Sequence, residues 1–151
     1  MSNILTIKTV QITPLRILIS TLKDILLLTN ITFTNDGIKI ITMDKLHTVL
    51  VHTVLEAAFF EEYECMKSKI IIGVNLLHLL NLINLIDKNN YDTLIIFIED
   101  KDYSEGLVSY LGIKFENSIT KQCKIQKLGL IEPYEEEPEI ENVMKNKEEI
   151  S

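Results

Sequence analysis

The chain has 151 residues, 46% of them hydrophobic, and Ile and Leu alone fill 45 positions. That suits one domain with a sizeable core, and excludes two ordinary domains or a disordered or collagen-like chain. The formal charge of −7 sits mainly in residues 132–151, with eight acids against two lysines, leaving residues 1–131 close to neutral.

Residues 4–10 alternate as a strand does. Thr13-Pro14 then reads as a helix start, because Thr caps free amides and Pro tolerates the first helical position. Leu15, Leu18, Ile19, Leu22 and Leu26 follow at helical spacing, with Arg16, Ser20 and Lys23 on another face. The helix is expected to end before Thr29-Asn30. Residues 30–34 and 37–43 form the arms of a hairpin through Asn35-Asp36-Gly37, where Gly tolerates positive φ. A third strand is expected over residues 48–56. Its Val49, Val51 and Leu55 share one face and Thr48, His52 and Glu56 the other, with apolar Leu50 anomalously on the polar side.

The order then repeats. Residues 69–74 read as a strand, and Asn75 as the cap of a helix with an apolar stripe of Leu76, Leu79, Leu80, Ile83 and Ile86. Its polar stripe is His78, Asn81, Asn84 and Lys88. Residues 93–99, 107–115 and 119–128 supply three further strands. In the last, Ile119, Cys123 and Ile125 oppose Thr120, Gln122, Lys124 and Gln126. Strand, helix and three strands, twice over, is a duplication-like pattern. The expected class is α+β, with both helices on one face of antiparallel sheet. Residues 1–128 form the domain and 129–151 an acidic, proline-bearing tail that builds no core of its own.

Chemistry-bearing clusters are scarce. His47 and His52 fall on opposite faces of a strand, and no Cys or His spacing matches a zinc site. No nucleophile or phosphate loop accompanies Asp44 and His47, so no catalytic residue, metal or cofactor is expected. Cys65 and Cys123 are too few for a stapled scaffold and suit reduced thiols inside a cell. The N-terminus shows no secretory signal pattern. The uncharged run 70–86 is broken by Asn75, His78, Asn81 and Asn84, which argues against a membrane span. One arginine among fifteen basic residues offers little for reading bases.

Four collinear blocks carry a family resemblance. They are Gly37-Ile-Lys-Ile-Ile-Thr-Met43-Asp44-Lys-Leu-His47-Thr-Val-Leu50-Val51, then Phe59 to Cys65 with Tyr63-Glu64-Cys65, then Ile72-Gly73-Val74-Asn75-Leu76, and finally Leu128-Gly129-Leu130 before an acidic stretch. In this order and spacing the chain resembles the first domain and interdomain connector of proliferating cell nuclear antigen, the eukaryotic and archaeal sliding clamp.

The resemblance implies a non-enzymatic processivity factor. Such proteins enclose duplex DNA in a ring of six domains, are placed there by a clamp loader, and recruit DNA polymerases and other proteins bearing clamp-interacting motifs. A single domain needs further copies or a second domain to close such a ring, so the chain is either a fragment or a natural one-domain form. A one-domain adaptor that binds the same motifs without enclosing DNA is the alternative.

By position, Arg16, Ser20, Lys23, His78, Asn81, Asn84 and Lys88 would face DNA, sequence-independently. Asn81 and Asn84 stand where the family commonly has lysines, which weakens the expected attraction. Met43, His47, Leu50, Leu128, Gly129, Leu130 and Ile131 would form the partner-peptide pocket, with adaptable Met43 at its floor. Thr48 and the displaced Pro133 depart from the family pattern. Gln122, Lys124 and Gln126 would lie on an edge strand that pairs with a neighbouring subunit. Enrichment in Ile, Lys and Asn suits an AT-rich viral or protist genome. The resemblance places the protein in the nucleus, or at a cytoplasmic replication site if viral.

Overall fold

The computed structural model describes residues 2–43, 50–85 and 90–133, with the backbone alone at residues 42 and 43. In chain order it runs β1 (Asn3–Thr9), α1 (Ile12–Ile25), β2 (Leu28–Thr34), β3 (Gly37–Met43), β4 (Leu50–Glu56), β5 (Glu62–Cys65), β6 (Ile70–Asn75) and α2 (Leu76–Asn84). The second half continues with β7 (Thr93–Glu99), the short β8 (Tyr103–Ser104) and β9 (Leu107–Val108), β10 (Tyr110–Glu116) and β11 (Cys123–Gly129). The expected doubling of a strand, a helix and a run of strands is present, with four strands after α1 and five, two of them short, after α2, and every named strand pair is antiparallel.

The two units are interlocked rather than side by side. One sheet runs β11-β10-β7-β1-β5 and the other β4-β3-β2-β6. Each unit thus lends its first strand to the other: β1 pairs with β7, and β6 pairs with β2. Hydrophobic periodicity assigns faces within an element but says nothing about which distant strand becomes its neighbour, so this exchange lies beyond local sequence reading.

Both helices bury one stripe into a core shared with both sheets. Ile12, Leu15, Ile19 and Leu22 supply it from α1, and Leu76, Leu79, Leu80 and Ile83 from α2. Opposite them, Leu5 pairs with Ile98 and Ile7 with Ile96, all within the same buried cluster. The Asn75 cap behaves as expected, its Oδ1 accepting the His78 amide at 3.1 Å. The start of α1 does not. Its N-cap is Gln11, with no side-chain cap, so Thr13 lies inside the first turn. Leu26 is also outside the helix: it is extended (φ −136°, ψ 121°), and its amide closes the last turn on the Leu22 carbonyl at 2.7 Å.

Three strand boundaries shift. The expected strand 107–115 is two strands interrupted at Ser109, whose amide is drawn to the Asp102 carbonyl at 2.9 Å. The last strand begins at Cys123 rather than residue 119, because residues 118–120 form a turn. β2 starts two residues earlier than expected, at Leu28. The additional strand β5, absent from the expected set, zips to β1 from Leu5↔Cys65 to Lys8↔Glu62. At the β2–β3 hairpin Gly37 adopts φ +142°, and a Cβ there would lie 2.2 Å from the Leu55 carbonyl oxygen. Only glycine fits that turn.

Candidate functional site

The helix layer comes first. On α1 the exposed positions are Thr13, Pro14, Ile17, Thr21, Asp24 and Ile25, and Ile17 is 61% exposed. Arg16, Ser20 and Lys23 lie on its flank, half-buried. Lys23 Nζ sits 3.4 Å from Asp24 Oδ1, an exposed pairing that offsets part of its charge but contributes little to stability. Arg16 buries its Nε with no hydrogen-bond partner among the described residues. On α2, His78, Asn81 and Asn84 are all exposed, as the polar stripe predicts, next to Leu77 at 40%. Lys88 and Ile86 lie outside the described residues. This layer therefore presents hydrogen-bonding groups and a few cations among apolar side chains.

The exit from the domain is built from four attachments. Leu128 pairs with Leu111 and is buried in the core. Gly129, exposed, pairs with Tyr110. The Leu130 amide donates to the Ser109 carbonyl at 3.0 Å while its side chain packs on the core. The Ile131 amide donates to the Gly73 carbonyl at 3.0 Å, closing an isolated antiparallel bridge. Thus the chain leaves β11 of one sheet and lands on β6 of the other. Just before it, Lys127 Nζ donates to Glu99 Oε2 and Asp102 Oδ2, both at 2.7 Å, and hovers over the Tyr110 ring. These hydrogen bonds hold the Glu99 carboxyl below its usual range and raise the Lys127 ammonium above its own.

The four-stranded sheet bears out the anomaly at Leu50. Val51 points into the core, while Leu50, His52 and Val54 share the outward face, with Leu50 half-buried and Val54 48% exposed. Met43 pairs with Leu50 through its backbone, and Ile41 pairs with His52 on the same face. His47 lies outside the described residues. Leu50 stands on one edge strand of this sheet and the Ile131–Gly73 bridge on the other, three strand spacings or about 14 Å apart. Among the described residues, Leu50 and the exit segment therefore stand at opposite edges of this sheet. Between them run β3 and β2, where Asn30, paired with Gly73, and Thr32 are buried.

β11 is an edge strand as expected, with β10 as its one partner in the sheet. Its two faces divide as the alternation has them. Gln126 pairs with Ile113 and Lys124 with Phe115, both core residues, so the polar side chains share the inner side with Leu128. Ile125, 55% exposed, and Cys123 face outward instead. The Gln126 Oε1 is buried without a partner among the described residues. Gln122 precedes the strand, its carbonyl accepting the Asn117 amide at 2.9 Å. Cys65 and Cys123 are both free thiols, on opposite edges of one sheet and too distant to bridge.

Sequence reading missed Gly73 and Ser109 as supports of the exit segment. A glycine interrupting a run of Ile and Val in a strand was the available signal. Among the described residues there is no group of three or more His, Cys, Asp or Glu placed to hold a metal, and no helix is long and apolar enough to cross a membrane. An open groove of about 600 Å³ lined by Lys8, Val10, Glu61, Glu62, Asp92, Thr93 and Ser118 includes none of the expected site residues.

Paired helices against antiparallel sheets built by strand exchange define the clamp fold. The family model of the proliferating cell nuclear antigen N-terminal domain matches residues 4–133, and the chain belongs to that family. Among solved structures, proliferating cellular nuclear antigen from Entamoeba histolytica superposes with a TM-score of 0.78 at 23% identity, covering 92% of this chain and 52% of that one. The chain thus spans about half the length of that structure, and at this identity the likeness speaks for the fold. No curated protein matches.

Proposed function

We propose that this chain is a sliding-clamp domain, part of a processivity factor that encloses duplex DNA in a ring and recruits DNA polymerase and other motif-bearing enzymes. It acts without catalysis or cofactor. The observation that carries this reading is the pair of helices, with His78, Asn81 and Asn84 exposed on α2 and Arg16, Ser20 and Lys23 on the flank of α1, in a domain matched to the clamp family over residues 4–133. Lys88 completes the proposed DNA-facing set. Contact with DNA is transient and electrostatic, and retention is topological. Met43, His47, Leu50 and the exit segment Leu128, Gly129, Leu130 and Ile131 form the partner-peptide surface. Gln122, Lys124 and Gln126 belong to the edge that meets a neighbouring subunit. The ring is homo-oligomeric once the second domain is supplied, a clamp loader opens it, and the site of action is the nucleus or a cytoplasmic replication site.

A second reading has its own support. The described helix faces carry few cations, and Lys23 is partly neutralised by Asp24. A one-domain adaptor that binds clamp-interacting motifs without enclosing DNA fits that surface. Solution mass and retention on circular duplex DNA separate the two. A ring-sized assembly that stays on a closed circle and runs off after linearisation supports the clamp. A monomer that binds the motif peptide with no retention on circles favours the adaptor.

A further inference from the structure

Gly73 sits in β6 between Ile72 and Val74, two fully packed core residues. Glycine weakens a strand, so its presence there calls for a reason. Backbone strain is not the reason, since Gly73 shows no left-handed φ of the kind found at Gly37 and Gly106. The obstacle to a side chain is the exit segment. A Cβ at position 73 would lie 2.7 Å from the Ile131 carbonyl oxygen, 2.9 Å from Ile131 Cγ1 and 3.1 Å from the Glu132 carbonyl oxygen. All three atoms belong to the connector and none to the core. The Gly73 carbonyl meanwhile accepts the Ile131 amide at 3.0 Å.

We propose that Gly73 is a positioning residue for partner binding: its bare Cα is the notch that seats the connector on β6 and so fixes one wall of the partner-peptide surface. This inference rests on the proposed function. A methyl group at position 73 leaves Leu128 in the core and Leu130 on the Ser109 carbonyl, but it lifts the chain from Ile131 onward. The wall then moves while the fold beneath it stays.

The test compares the 151-residue chain with its Gly73→Ala variant by amide hydrogen exchange and by titration with a fluorescent clamp-binding peptide. In the variant the Ile131 amide should exchange about tenfold faster while Ile72 and Val74 stay protected, as local opening confined to the connector requires. Peptide affinity should fall about fivefold, the worth of one ordinary hydrogen bond. Unchanged exchange at Ile131 overturns the seat. Faster exchange with unchanged affinity overturns its link to partner binding. Wild-type protein that fails to bind the peptide counts against the proposed function, while the exchange result still decides the seat. Should Gly73→Ala not fold, Ile131→Pro removes the same donor without touching β6, and peptide affinity should again fall about fivefold; an unchanged affinity there overturns the proposal.

Discussion

Tyr63 donates its hydroxyl to the Thr34 carbonyl at 2.6 Å, tying β5 of one sheet to β2 of the other across 29 positions of sequence. Burial, the dominant influence, pushes the phenol well above its ordinary range, so it remains a donor throughout the working pH range. The ring also stacks on Phe60 at 5.8 Å. Tyr63→Phe keeps the stacking and removes only the hydrogen bond. Urea unfolding should show a loss of about 1 kcal/mol, and the thermal midpoint should fall by about 2–4 °C.

The two sides of α2 make opposite predictions. Ile83 is fully buried, whereas Leu77 is 40% exposed on the outer side. Ile83→Ala should cost about 2–5 kcal/mol through lost burial and the cavity left behind. Leu77→Ala should stay within about 0.5 kcal/mol. Denaturant unfolding of the two variants side by side checks both.

Lys127 gives the exit segment a pH dependence. The Glu99 carboxyl titrates lower in the folded protein than in the unfolded chain, first because Lys127 donates to it. Its stabilising contribution is therefore present above the unfolded value, about 4.3, and is lost as pH falls through the lower folded value. Lys127 is shifted upward, chiefly by Asp102 and then by Glu99, so its contribution is present below the unfolded value of about 10.4 and fades as pH rises through the folded one. Lys127→Met should flatten both limbs of the stability-versus-pH curve, and the acid limb is the easier to measure by thermal unfolding between neutral pH and pH about 3.

If the helix layer faces DNA, its cations act through released counterions. Arg16→Ala and Lys23→Ala should each weaken binding to duplex DNA evenly across sequences. Each should also lower the slope of log affinity against log salt by about 0.9. Fluorescence anisotropy over a salt series reads both quantities. A change confined to one DNA sequence would point to base reading instead.

Much of the architecture was legible because it follows from local rules. The Asn75 cap and the buried stripes of both helices obey helical spacing, and Leu50 declared itself by breaking an alternation. The misreadings have physical causes. Thr13-Pro14 carries a capping signature, but the Gln11 amide is taken by Thr9 Oγ at 3.0 Å and the helix begins earlier. On β11 the alternation divides Cys123 and Ile125 from Lys124 and Gln126 without saying which set meets the core. Leu128, aligned with Leu111, shares its face with Gln126, half-buried, and Lys124, which stays exposed towards the strand's start. The landing of Ile131 on Gly73 depends on the path between two sheets, which no local pattern records.

The partner-peptide surface is tested most directly by titrating a fluorescent clamp-binding peptide into wild-type protein, Leu50→Ala and Leu130→Ala, with circular dichroism confirming that each variant is folded. The account predicts binding by the wild type and at least about a fivefold weakening in each variant, from loss of apolar contact on two sides of one face. Binding that neither substitution weakens would contradict it.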